Sequence, residues 1–359
     1  MNEDIRATTF YKRTLGCLIG GLIGDAMGTP SEGMHYREID AKLGWISDFD
    51  GDGTDDTIMK TLLAEALIGS VGYAGADEWA QVWLDRWHEI FGQKVGKFFP
   101  SVLHTAAKLK NHIAPRMAGL GNMPSSSSAM CIAPVGIINA CNPEAAARQA
   151  HDLAGLIHVY DVAFCRDGAV AIAAAVAAAF VPEATTSTVL ASALDVLAPL
   201  SGTQMRKCIG AVLQVAEDSS GFEEFRETVY QGRDTYFRGI MCDSRETVPI
   251  SLGLLALSTG NVEKAVTYGA NFGRDADTIA SMCGGIAGAF AGIEGIAPEW
   301  VEKVNRVATT DQEDLAERLC RTSLSKLESE TKKQENLLLI SAGNATTDHF
   351  FKRTPHDLQ

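Results

Sequence analysis

Two helix-length segments near opposite ends of the chain carry small residues at every fourth position. Gly16, Gly20 and Gly24 form the first stripe; Ala280, Gly284, Gly288 and Gly292 form the second. Residues four apart lie on one helix face. A glycine inside a helix costs about 1 kcal/mol relative to alanine. Close approach of two backbones compensates for that cost, so these helices are expected to pack together at the centre of the fold. A membrane dimer would use the same stripe, but the first apolar stretch is short and ends in Asp25, which excludes that reading.

The remaining sequence is also helical in character. Hydrophobic residues make up 46% of the 359 residues and aromatic residues only 7%, and alternating strand patterns are rare. Periodicity predicts helices at 10–27, 56–70, 77–91, 128–140, 160–180, 277–292 and 311–332, among others, with short connections. No Pro/Ser-rich linker divides the chain. The expected architecture is one all-α domain over 1–330, followed by a C-terminal arm or tail over 331–359. Trp79, Trp83 and Trp87 recur every four residues and read as core or interface packing.

Asp and Glu number 45 against 31 Lys and Arg, a net charge of −14. That balance excludes binding to a nucleic-acid backbone and disfavours an anionic membrane surface. A small anionic substrate would need a local positive element, which a divalent cation supplies. The eight cysteines form no CxxC pair and read as thiols in a reducing cytosol. The acidic N-terminus lacks a signal-peptide core, and a cytoplasmic location is expected.

Two acidic motifs stand directly before apolar helices. The first is Asp50-Gly51-Asp52-Gly53-Thr54-Asp55-Asp56-Thr57; the second is Gly273-Arg274-Asp275-Ala276-Asp277-Thr278. Either one alone reads as a helix cap. An EF-hand reading of the first fails because Thr61 stands where the bidentate Glu belongs. Two such clusters from distant segments would repel each other if they met without cations. Their all-oxygen donor set suits Mg²⁺, Mn²⁺ or Ca²⁺ and argues against zinc. Glu32 lies past Pro30 on a loop from which it can reach such a site, whereas Asp25 lies on the glycine-striped helix and either caps or pairs.

The ordered set Gly20–Glu32, Thr54–Thr57 and Asp275–Ala280, with Met130–Gly136 and Thr247-Val248-Pro249 between, resembles the ADP-ribosylglycohydrolase family. That family includes dinitrogen-reductase-activating glycohydrolases and ADP-ribosylarginine and ADP-ribosylserine hydrolases. The resemblance spans about residues 10–310. It implies a compact all-α fold with a cleft for two Mg²⁺ or Mn²⁺ ions. Thr54, Asp55 and Asp56 would bind from one side and Asp275, Asp277 and Thr278 from the other. Glu32 and Asp55 are the implied catalytic carboxylates, and the implied reaction is hydrolysis of a bond at a ribosyl C1. Substrate would be an ADP-ribosylated protein or a ribosylated small molecule. A nucleoside or other N-glycoside on the same site is the second enzyme reading, and a non-catalytic, crystallin-like relative is the third.

The chain departs from the family pattern at two points. Where many members have a Gly-Asn-Gly loop before Met-Arg, this chain has Ser125-Ser126-Ser127-Ser128-Ala129-Met130-Cys131. Ser126, Ser127 and Ser128 either contact substrate or cap the next helix. Arg274 replaces a glycine and either faces an anionic substrate or pairs with a carboxylate. His158, with Asp167 and Gly168 after it, is expected near the ribose; the competing reading of His158 is a satisfied buried histidine.

Overall fold

The computed structural model describes residues 4–92 and 95–341. Nineteen α-helices, with short 3₁₀ turns between some of them, make up its regular structure, and the described residues contain no strand. In chain order they begin with α1 (Thr9–Gly28), α2 (Tyr36–Lys42), α3 (Asp55–Gly69), α4 (Ala76–Asp85), α5 (Trp87–Phe91) and α6 (Pro100–Lys110). Next come α7 (Pro115–Ala118), α8 (Ala133–Ile138), α9 (Pro143–Ala154), α10 (Phe164–Ala179), α11 (Thr186–Asp195) and α12 (Thr203–Asp218). The last group is α13 (Phe222–Gln231), α14 (Arg233–Tyr236), α15 (Ser244–Ser258), α16 (Val262–Phe272), α17 (Ala276–Ala291), α18 (Pro298–Val307) and α19 (Gln312–Ser341).

The two glycine-striped helices form the centre. α1 and α17 run antiparallel in backbone contact: Gly16 faces Gly288, Gly20 faces Gly284 and Gly24 faces Ala280. A Cβ at any of these three glycines would fall within 3 Å of the opposing backbone. Both helices are buried on nearly every side, from Thr14 to Gly28 and from Ala276 to Ala289. This seam has a functional consequence. α1 ends, and α17 begins, at the same end of the molecule, so Asp25 and Gly28 are brought against Asp277 and its neighbours.

Several element boundaries differ from the periodicity. The predicted 77–91 helix breaks at Arg86, whose guanidinium pairs with Glu89. Trp79 and Trp83 are fully buried on α4, while Trp87 stands on the separate α5 and stacks on Phe91. The predicted 128–140 helix shrinks to α8, which starts with Pro134 in its first turn. α19 runs on past 332 to Ser341, with its residues from 331 exposed. The expected arm beyond 341 lies outside the described residues. Among the described residues, no helix is long and apolar enough to cross a membrane. All eight cysteines are free, and only Cys141 and Cys208 are not buried.

Candidate active site

The end of α1 anchors the first acidic loop. Asp25, completely buried, accepts hydrogen bonds from four donor groups of that loop and the start of α3. Thr54 donates its backbone N–H at 2.9 Å and its hydroxyl at 2.8 Å to Oδ1. Thr57 donates its backbone N–H at 3.0 Å and its hydroxyl at 2.6 Å to Oδ2. The loop turns through Gly51 and Gly53, both at positive φ, which glycine adopts without strain. Thr54 then caps α3 and places Asp55 and Asp56 in its first turn. Sequence reading left Asp25 as a cap or a pairing partner; it is the positioning residue of the whole loop.

The second acidic loop is clasped to the loop that carries Glu32. Gly33 N–H donates to the Arg274 carbonyl at 2.7 Å, and Arg274 N–H returns to the Met34 carbonyl at 3.0 Å. Ser31 hydroxyl ties the same loop to the Ala270 carbonyl at 2.6 Å. As a result, carboxylate oxygens of Glu32, Asp275 and Asp277 lie within 4.8 Å of one another. Glu32 is the exposed member, and the two aspartates are buried.

Hydroxyls bridge the two acidic halves. Thr278 donates to Asp56 Oδ2 at 3.2 Å, and Thr54 Oγ1 lies 3.4 Å from Asp277 Oδ2. Phe99 N–H donates to Asp55 at 3.2 Å, and Ser126 hydroxyl donates to Asp275 at 3.2 Å. Burial pushes the Asp55 carboxyl up to about 8, reinforced by Asp25 and Asp275 and opposed by the Phe99 N–H. Burial and then Glu32 push Asp275 up to about 7. Asp56 and Asp277 are raised well above the usual range, first by burial and then by surrounding carboxylates. Burial, with Asp25 behind it, also raises Glu32.

Two oxygens in this cluster, Asp56 Oδ1 and Asp277 Oδ1, are buried with no hydrogen-bond partner. Orphaned buried acceptors are costly and call for a partner. Hard oxygen donors converging with surplus negative charge fit a hard divalent cation. The residues therefore fit the ion set expected from sequence: Thr54, Asp55 and Asp56 on one side, Asp275, Asp277 and Thr278 on the other.

The other expected contacts divide. Of the three serines, Ser126 alone reaches the acid cluster. Ser127 bonds Ser101 at 3.0 Å and Ser125 at 2.9 Å. His158 is fully buried, with Nε2 2.9 Å from Ser125 Oγ and Nδ1 3.0 Å from Ser128 Oγ. Both ring nitrogens are used, and burial holds the ring neutral with its pKa down at about 3. His158, Ser127 and Ser128 thus belong to an internal hydrogen-bonded network, linked through Ser125. Asp167 borders a separate recess of about 610 Å³ with Glu144, Arg148 and Asp195. Gly168 packs against Ser244 and Val248 inside α10. Arg274 pairs with Glu246, a fully buried carboxylate outside the ion set, at 2.7 Å and 2.9 Å. It also borders a recess of about 610 Å³ lined by Gly33, Met34, Tyr230 and Phe237, which begins one residue after Glu32. Sequence reading missed Glu246, whose signal was an acid in the first turn of an otherwise apolar helix.

A family model described as ADP-ribosylglycohydrolase matches residues 6–329. The chain belongs to the ADP-ribosylglycohydrolase family. It is accordingly a hydrolase, with glycohydrolase chemistry as its coarse activity. The chain is 27% identical to the uncharacterised protein YegU of Escherichia coli K12 over 330 residues, covering 84% of this chain and 94% of that one. It is 23% identical to the ADP-ribosylhydrolase ARH3 of Bos taurus over 339 residues, covering 85% and 92% respectively. A 47-residue stretch, 13% of each chain, is 45% identical to the ADP-ribosylarginine hydrolase Tri1 of Pseudomonas putida. A solved structure titled ADP-ribosylglycohydrolase-related protein complex shares the fold, with a TM-score of 0.65 at 20% identity over 88% of this chain and 99% of that one.

Proposed function

We propose that this enzyme is a divalent-metal-dependent glycosyl hydrolase that cleaves the C1 bond of a ribosyl unit in an ADP-ribosylated protein or small molecule. The observation that carries the metal requirement is the pair of orphaned oxygens, Asp56 Oδ1 and Asp277 Oδ1, inside a cluster whose carboxyls are all raised by mutual burial. The printed activities of two relatives, an ADP-ribosylhydrolase and an ADP-ribosylarginine hydrolase, support the substrate class. Thr54, Asp55, Asp56, Asp275, Asp277 and Thr278 would hold Mg²⁺ or Mn²⁺. Such ions, when bound, orient ribose hydroxyls and acidify a bound water.

The chain's own residues do the rest. Glycosidic cleavage passes through an oxocarbenium-like state, which flanking carboxylates stabilise. Glu32 is the exposed acid at the cluster's edge, and its raised pKa suits proton transfer to a leaving group or from water. Asp55 keeps Oδ2 on the Phe99 N–H, which holds the second catalytic candidate in one orientation. Ser126 fixes Asp275 in the same manner. The recess beside Gly33 and Arg274 gives the displaced group room next to Glu32.

The test is a substrate screen with Mg²⁺, with Mn²⁺ and with chelator. ADP-ribosyl-arginine, ADP-ribosyl-serine, ADP-ribose polymer and simple nucleosides are offered, and products are separated by chromatography. Metal-dependent release of ADP-ribose is the expected result. Release of free base and ribose from a nucleoside moves the enzyme to the N-glycoside reading, and full activity in chelator removes the metal from the reaction.

A further inference from the structure

Lys60 is a charged side chain in the interior, 5% exposed, on a helix that is otherwise apolar on its inner face. Its ammonium donates to Ser281 Oγ at 3.1 Å. Among the described residues that hydroxyl is its one side-chain partner, and no carboxylate stands within ion-pairing distance of it. A buried ammonium with a single neutral partner requires negative charge nearby.

The helices supply that charge by their register. Lys60 lies one turn after Asp56 on α3. Ser281 lies one turn after Asp277 on α17. Gly21, whose missing side chain leaves the space that Lys60 Nζ occupies, lies one turn before Asp25 on α1. Each of the three helices therefore places a carboxylate one turn, about 5.4 Å along its axis, above the point where it touches the ammonium. The buried Cys131 thiol lies within reach of both sides, pushed up first by burial, then by Asp56 and less by Asp55, and pulled back by Lys60.

We infer that Lys60 is a built-in counter-cation of the acid cluster, stabilising the metal-free protein and weakening the grip of the cluster on divalent ions. Charge repulsion between an ammonium and a dication about one helical turn away acts strongly in a site shielded from water. Lys60 is a positioning residue in this scheme, since it touches neither substrate nor ion. It gives the enzyme a folded apo state and a metal centre that exchanges its ions. The inference rests on the metal reading above.

Lys60→Met removes the charge at similar length. Titration calorimetry with Mn²⁺ and thermal melts in chelator and in saturating Mn²⁺ are compared with the unaltered protein. The variant is expected to bind Mn²⁺ at least about fivefold more tightly, to melt several degrees lower in chelator, and to recover most of that loss in Mn²⁺. Equal or weaker Mn²⁺ binding together with an unchanged melt in chelator overturns the inference. If Lys60→Met does not fold without metal, Asp56→Asn is added. Recovery of folded apo protein supports the counter-charge role, and no recovery assigns Lys60 to packing and overturns it. If the unaltered protein binds no Mn²⁺, the metal reading fails by itself, while the melts in chelator still decide whether Lys60 balances the cluster.

Discussion

Two buried polar groups lie side by side in this fold and obey opposite rules. In the serine–histidine network, Ser101, Ser125, Ser127, Ser128 and His158 satisfy one another, and burial keeps His158 neutral. In the acid cluster next to it, two carboxylate oxygens have no partner and every ion-set aspartate is pushed toward its protonated form. Ser126 joins the two through its bond to Asp275. A satisfied network specifies structure, whereas an unsatisfied one of like charges is held in reserve for a ligand.

The sharpest way to break that contrast is to empty the unsatisfied side. Asp277→Ala is expected to lower turnover by about a thousandfold or more and to abolish Mn²⁺-dependent thermal stabilisation, while melting in chelator no lower than the unaltered protein. Removing a buried carboxyl with one orphaned oxygen takes away a destabilising group, so a variant that unfolds in chelator would place Asp277 among the satisfied residues instead. Glu32→Gln comes next, with turnover down by about a hundredfold to ten-thousandfold and Mn²⁺ affinity little changed, measured by steady-state kinetics and calorimetry.

On the satisfied side the response should be one of stability. His158→Ala orphans the Ser128 hydroxyl, takes one partner from Ser125 and opens a cavity, costing about 2–4 kcal/mol in denaturant unfolding, with Mn²⁺ affinity close to that of the unaltered protein. A large loss of affinity at unchanged stability would reverse the assignment.

The smallest effect is the pH response of the metal-free protein. Asp55 has its folded pKa raised from 3.8 to about 8. Between those values the unfolded chain has lost the proton that the folded protein keeps, so stability falls as pH rises. Melts in chelator should decline across that window, and Mn²⁺ binding, which competes with the same protons, should strengthen over it. Asp275→Ala, which removes one of the carboxylates behind the shift, should flatten the decline in chelator.

Much of this was legible in sequence because it is local or periodic. The spacing of Gly16, Gly20 and Gly24 told which helices meet, and Thr54–Thr57 and Asp275–Thr278 announced themselves as oxygen-rich helix starts. Partners across the fold were not legible. Nothing in the run of serines told that Ser126 would reach Asp275 while Ser127 and Ser128 turned inward, because all three share composition and differ only in which helix packs behind them. Asp167 followed His158 in the chain, yet the helix rotation of α10 sends it to another recess. Arg274 left two partners open, and Glu246 came from a segment nearly thirty residues away. Lys60 did leave a trace, a lone cation among Ile58, Met59, Leu62 and Leu63, but its meaning depends on three helices at once.

The paired backbone bonds between Gly33, Met34 and Arg274 constrain how the cleft can breathe. They splice the Glu32 segment to the strap before α17, so the acid at the rim and the carboxylates behind it travel as one jaw. The opposite jaw is held separately, with Asp55 on the Phe99 N–H and Lys97 on the Gly53 carbonyl at 2.6 Å. The alignment of Glu32 with Asp275 is thereby set by main-chain pairing, independent of the loop that carries Asp55 and Asp56.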